Sequence, residues 1–191
     1  RADLIIGNNV YAHVPDINDF TKGIKTLLSP DGTVTLEFAY LKDLIKENEF
    51  DTIYHEHFSY FSFTVIQKIF ASQKLTIFDV EEIPTHGGSL RIFVKHSENN
   101  RYRIEESVER LLKKENRYGL DDFSTYLGFT EKVLEIKEQF NEFLESANKE
   151  NKIIVCYGAP AKGNTLLNYF KINSKIIRYT VDLSPHKQGL F

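Results

Sequence analysis

The stretch Tyr54-His55-Glu56-His57 puts a phenol, two imidazoles and a carboxylate into four consecutive residues. Imidazole is the side chain best suited to taking and giving protons near neutrality. A neighbouring carboxylate can orient it and stabilise its cation, and a phenol can donate to a developing oxyanion. The stretch therefore supplies base, orienter and donor. On an extended strand Tyr54 and Glu56 would share one face and His55 and His57 the other; a loop breaks that alternation, so spacing does not assign the inward set. Two other readings stand beside acid–base work. One is a surface His-Glu-His, or histidines packed among Phe58, Tyr60 and Phe61. The other is a metal site, because His-x-His with a carboxylate suits zinc or iron. That site needs a third ligand from elsewhere, for which His13, His86 and His186 are the candidates.

Asn8-Asn9 and His13 follow the apolar run Leu4-Ile5-Ile6 and so lie just past the carboxyl end of a predicted strand, the edge at which open parallel sheets bind ligands. Thr85-His86-Gly87-Gly88-Ser89 reads as a hairpin turn whose paired glycines also permit close backbone approach to a ligand. Gly158-Ala159-Pro160-Ala161-Lys162-Gly163-Asn164 follows a strand and opens a helix. Amides at a helix N-terminus attract phosphate, and Lys162 adds a full charge. The pattern is neither a Walker loop nor a complete dinucleotide fingerprint, so an ordinary strand-to-helix turn stands beside it, and a non-catalytic nucleotide-sugar-binding module using only the C-terminal half is a rival reading of the chain. Asp182, at the end of the next strand, can meet a ribose or sugar hydroxyl, or cap Ser184-Pro185.

The elements that must position these residues are legible in outline. Leu4 to Ile6 reads as a buried parallel strand. Pro15-Asp16 opens a helix with Ile17, Phe20, Ile24, Leu27 and Leu28 at helical period. Ser29-Pro30-Asp31-Gly32 is a turn signal that stops it, and Thr33 to Phe38 is the next strand. Strand, helix, strand predicts a right-handed parallel crossover. Tyr40 to Lys46 is helical, and Ser62 is an N-cap for a helix carrying Val65, Ile66, Ile69 and Phe70. Leu75 to Ile83 and Ser89 to Lys95 form an antiparallel hairpin closing one sheet edge. The polar run Ser97-Glu98-Asn99-Asn100-Arg101 marks a domain boundary, giving domains of residues 1–97 and 98–191. The second begins with two helices, carrying Ile104 to Leu112 and Val133 to Ala147. It ends as a buried strand over 152–157, a turn, a helix with Leu166, Leu167 and Phe170, and a strand over 175–181.

Composition narrows the function classes. The chain has 191 residues, 41% of them hydrophobic, enough for one large domain or two small ones. With 24 Lys+Arg against 27 Asp+Glu and a net charge of −3 it lacks the basic excess of a nucleic-acid binder. No run approaches the roughly 18 apolar residues of a membrane span. A single cysteine, Cys156, forms no internal disulfide and fits a reducing compartment such as the cytoplasm. There is no methionine, the chain opens on Arg1, and it closes on Leu190-Phe191 without a polar tail. Both ends look cut, and the chain is read as a piece of a longer protein.

Together these motifs resemble the sugar C-methyltransferases that act on nucleotide-linked deoxysugars. The matching stretches are Asn8 to His13, Tyr54 to Phe61, Thr85 to Arg91, Gly158 to Asn164 and Asp182 to Gly189, in the family's order over nearly the whole chain. The resemblance implies an α/β fold. Residues 1–97 would be the second half of a class I methyltransferase (Rossmann-like) sheet with its antiparallel hairpin. Residues 98–191 would be a helical linker and a truncated Rossmann-like C-terminal domain. It implies S-adenosylmethionine as cofactor, zinc only in an N-terminal domain outside this chain, and a nucleotide-linked keto-deoxysugar as substrate. By the same analogy His57 is the base, with Tyr54, Glu56 and His13 lining its pocket and Tyr54 or His13 donating to the enolate oxygen. Asn8 and Asn9 would face the cofactor, and His86, Gly87 and Gly88 the substrate; that Lys162, Gly163 and Asn164 hold the nucleotide or its diphosphate is an inference from their place at a helix N-terminus and not part of the resemblance. The family's glycine-rich cofactor loop and its ribose-binding acid are not in this sequence, so the chain alone is expected to bind S-adenosylmethionine weakly or not at all.

Overall fold

The computed structural model describes residues 1–190, which fall into two compact units, one of residues 1–47 and 56–126, the other of residues 48–55 and 127–190. The polar run 97–101 thus lies within the first unit.

The first unit is a mixed four-stranded sheet with helices. Strand β1 (Ala2–Asn8) leads through a 3-10 turn, Tyr11–His13, into helix α1 (Ile17–Leu27). The Asp16 carboxylate caps that helix, accepting from the amides of Asn18 and Asp19 at 3.1 and 2.9 Å. Strand β2 (Leu28–Ala39) pairs parallel with β1, as the strand–helix–strand pattern predicts. Helices α2 (Leu41–Lys46) and α3 (Phe63–Ser72) follow, then β3 (Leu75–Ile83) and β4 (Ser89–His96). The chain reverses between β3 and β4, and β4 lies antiparallel to both β2 and β3, giving the order β1-β2-β4-β3. Helix α4 (Glu106–Tyr118) completes the unit. Its core is the period-two set Val34, Leu36 and Phe38 of β2 with Leu90, Ile92 and Val94 of β4, met by Phe63, Ile66 and Phe70 of α3 and Val108 and Leu111 of α4.

Two expectations change here. Ser29-Pro30-Asp31-Gly32 does not sit between elements: Ala2 pairs with Leu28 and Leu4 with Thr33, so the turn residues bulge out within β2. A Cβ on Gly32 would lie 2.8–2.9 Å from Leu28 Cδ1, the Ala2 carbonyl and Ser29 Oγ, so only glycine fits that bulge. Nor is β1 buried. It is the sheet's edge, with Leu4 54% and Ile6 64% exposed, while Ile5 packs on the core. An apolar run signals strand, but which faces are covered depends on partners distant in sequence.

The second unit holds helix α5 (Phe123–Lys149), from Leu127 onward, a two-stranded parallel sheet of β5 (Ile154–Tyr157) and β6 (Ile177–Val181), and helix α6 (Ala161–Phe170) between the strands. The predicted strand–turn–helix–strand order is present. The expected burial of β5 is not, since Ile153, Val155 and Tyr157 are exposed. Its buried apolar cluster is Phe50, Val133 and Phe170. Among the described residues no helix is long and apolar enough to cross a membrane.

Candidate functional site

The site begins where the parallel strands of the first unit end. After β1 the chain turns at Asn9, whose φ of 54° is left-handed and whose amide donates to the Glu37 carbonyl at 2.8 Å. Asn8 and Asn9 are both exposed. The 3-10 turn then buries Tyr11, whose hydroxyl meets Thr21 Oγ1 at 2.6 Å, and turns His13 outward to half burial. Burial pushes the Tyr11 phenol up to about 12. Its ring packs on Phe20, Phe38, Phe61 and Phe70, so the turn that carries His13 is anchored in the core.

His57 joins this platform from the other side. The Phe58 amide donates to the Ala12 carbonyl at 2.9 Å, which brings the His57 segment alongside the His13 turn. The two imidazoles stand edge to face with ring centroids 4.8 Å apart. The Tyr60 ring lies perpendicular to His57 at 5.9 Å. His57 is half-buried within this trio, and Glu56 is exposed on the turn before it. Residues 53–60 have no strand, so the alternation open at the sequence level is broken by a turn. Tyr54 and His55 belong to the second unit, where their rings are 6.2 Å apart. A metal would need a third ligand beside two imidazoles, and among the described residues no group of three or more His, Cys, Asp or Glu is placed to hold one.

The end of β2 holds both flanking segments. Tyr40 bridges Phe61, the Leu41 amide donates to the Phe61 carbonyl at 3.0 Å, and the Tyr40 amide donates to the Gly88 carbonyl at 3.0 Å. The Thr85–Gly88 turn is tightly specified. His86 is left-handed at φ 53°, and Gly88 has φ 134° with room for no Cβ, which would meet Asp43 at 2.7 Å. The buried Glu37 carboxylate fastens this turn, accepting from Thr85 Oγ1 at 3.1 Å and from Arg91 Nη2 at 3.0 Å, with Arg91 also reaching Glu81 at 3.4 Å. His86 and Gly87 remain exposed.

In the second unit the Gly158–Asn164 turn runs from β5 into α6, whose first turn has no side-chain cap. Lys162 is half-buried, and Asn164 is tied to Asn168 within the helix at 3.0 Å. Asp182 is committed locally: its carboxylate accepts from the Ala159 amide at 2.7 Å and the Ser184 amide at 2.8 Å, with Lys187 Nζ 3.6 Å away. Those amides hold its carboxyl below the usual carboxylate range. Of its two predicted roles, the structure contains the cap on Ser184. Tyr60 stood among the aromatics expected around the histidines, whereas Glu37 and Arg91 were given no role from sequence. Glu37 had a visible signal, a carboxylate inside the otherwise apolar and β-branched run Val34 to Phe38.

The family model for the C-methyltransferase C-terminal domain matches residues 84–191. The chain is 35% identical over 188 residues to the C-methyltransferase NovU of Streptomyces niveus, an alignment covering 98% of this chain and 44% of that protein. The chain thus spans less than half the length of this curated relative. By the family match over more than half its length, the chain belongs to the C-methyltransferase family and represents its C-terminal portion.

Proposed function

We propose that the full-length protein methylates a carbon beside the keto group of a nucleotide-linked deoxysugar, with His57 as the base. The observation that carries the reading is the His57 imidazole held half-buried between His13 and Tyr60, at the carboxyl end of parallel strands anchored in a solid core. A relative named as a C-methyltransferase supports methyl transfer to carbon.

In this reading S-adenosylmethionine supplies an already activated methyl group. The residues of this chain do not build its cradle: the turn after β1 is Asn8-Asn9-Val10 rather than glycine-rich, and the Asn9 amide is committed to the Glu37 carbonyl. What these residues do is acid–base and positioning work. His57 removes the proton alpha to the ketone, and His13 or Tyr54 donates to the enolate oxygen as charge builds there. Glu56 supports the cation that His57 becomes. Asn8 and Asn9 face the donor side. His86, Gly87 and Gly88 meet the sugar, and Lys162, Gly163 and Asn164 meet the nucleotide diphosphate at the start of α6. Residues 1–97 are then the closing part of the donor-binding domain, a Rossmann-like sheet whose hairpin is β3–β4. Residues 98–191 are the linker and the C-terminal Rossmann-like domain.

The test is His57→Asn in the full-length protein. Methyl transfer should fall by about 10²–10⁴-fold, as on loss of a general base, while affinity for the nucleotide sugar stays near normal. Unchanged turnover would remove the reading's central residue.

A further inference from the structure

Glu115, on α4, is only 2% exposed, and no ion pair reaches it among the described residues. A buried carboxylate without a cation is costly unless hydrogen bonds satisfy it. Three do, all from the first turn of α3. Oε1 accepts from the Phe63 amide at 2.5 Å, and Oε2 accepts from the Thr64 amide at 2.8 Å and from Thr64 Oγ1 at 2.6 Å. Ser62 Oγ takes the Val65 amide at 3.2 Å. The amides of Phe63, Thr64 and Val65, which have no partner within the helix, are thereby all satisfied, with a negative charge at the positive end of the dipole.

A local cap such as Ser62 stabilises α3 wherever the helix sits. A carboxylate arriving from 52 residues further along the chain does something else, because it fixes where the helix begins. What begins there is the exit of the His57 segment. Residues 57–60 have no regular structure. The segment's backbone is held at Phe58 by the Ala12 carbonyl and at Phe61 by the Leu41 amide. Ser62 and then the Glu115-bound amides follow at once. The same carboxylate lies beside Tyr40, the residue that bridges Phe61: burial, and then the nearby charge of Glu115, push the Tyr40 phenol up. Lys42 stands over the Tyr40 ring at 5.1 Å and the Tyr118 ring at 5.8 Å, and pairs with Asp43.

We propose that Glu115 is a positioning residue for the His57 imidazole: its grip on the first turn of α3 sets the path of residues 57–62 and so holds His57 against His13. This rests on the reading of His57 as base, and the experiment separates the two. In the full-length protein with labelled histidines, the nuclear Overhauser contact between the His13 and His57 rings reports geometry without reference to activity. Glu115→Gln should weaken that contact and lower kcat by about 10- to 100-fold with KM unchanged, the scale of a base displaced by about 1 Å. Val108→Ala, a cavity in the same helix that leaves the α3 terminus alone, should keep both the contact and kcat. Should Glu115→Gln not fold, Thr64→Val, which deletes only the hydroxyl bond, should weaken the contact and lower kcat by a smaller factor. An intact ring contact with unchanged kcat in Glu115→Gln or in Thr64→Val overturns the proposal, as does equal loss in Val108→Ala. If instead His57→Asn retains full turnover, it is the assignment of the base that fails, whatever the ring contact does.

Discussion

The two units solve the same problem, placing turns at the ends of parallel strands, with very different means. In the first, the sheet is covered by α3 and α4, and Tyr11, Phe38, Phe61, Phe63 and Phe70 are almost fully buried. The turns that carry His13 and His57 hang directly from that core. In the second, the buried cluster is Phe50, Val133 and Phe170, and large apolar groups stand in solvent, Tyr157 at 80% and Leu183 at 84%. Its loops are tied instead by exposed or part-buried hydrogen bonds around Asp182 and Lys187. The contrast teaches that packing is concentrated around the imidazole pair, where a base acting as we propose would have to be held in place, since a misplacement of about 1 Å costs about 100-fold in rate.

The sharpest way to break this contrast is to cut a ring from each cluster. Phe38→Ala should destabilise the first unit by about 3–5 kcal/mol, because a packed core collapses little around the cavity. Phe170→Ala should cost distinctly less, since its neighbours are fewer and partly wet. Denaturant unfolding of the full-length protein, followed by amide exchange in each unit, compares them; equal losses would erase the distinction.

Opposite pH limits sharpen it further. A tyrosine in the unfolded chain ionises near pH 10, whereas buried Tyr11 keeps its proton to about 12. Between those values the unfolded state binds fewer protons, so the first unit loses stability as pH rises, by about 2–3 kcal/mol from Tyr11. Tyr40 acts in the same direction. Tyr11→Phe should flatten the alkaline limb of a stability profile measured between pH 9 and 12.

The second unit should fail at the other end. The Asp182 carboxyl is held low by the Ser184 and Ala159 amides. Its contribution is therefore complete above the unfolded value near pH 4 and is lost as pH falls through the lower folded value. Amide exchange at Ala159 and Ser184 should accelerate on acidification over that window, ahead of the first unit, and Asp182→Asn should show the fast exchange already at neutrality.

Much of the framework was readable from residue types. The β-branched and aromatic run Thr33 to Phe38 announced β2, the helical period after Pro15-Asp16 announced α1, Ser62 announced α3 as its cap, and the Thr85–Gly88 glycines announced the hairpin. Local signals suffice where the determining partner lies within a few residues. They fail where it does not. The exposure of Leu4 and Ile6 follows from the face they share with Thr33 and Thr35, opposite the face on which Ile5 and Val34 meet the core. The pairing of His57 with His13 spans 44 positions and depends on the Phe58–Ala12 hydrogen bond. Nothing local marks Glu115 within its charged helix, and its burial is decided by the α3 terminus folding against it.

The most direct measurement is hydrogen exchange at the sugar carbon itself. In deuterium oxide, with the nucleotide-linked keto-sugar and no methyl donor, the full-length protein should wash deuterium into the position alpha to the ketone. His57→Asn should leave that exchange at the solvent background while still binding the sugar nucleotide. Exchange as fast in His57→Asn as in the unaltered protein would contradict the assignment of His57 as the base.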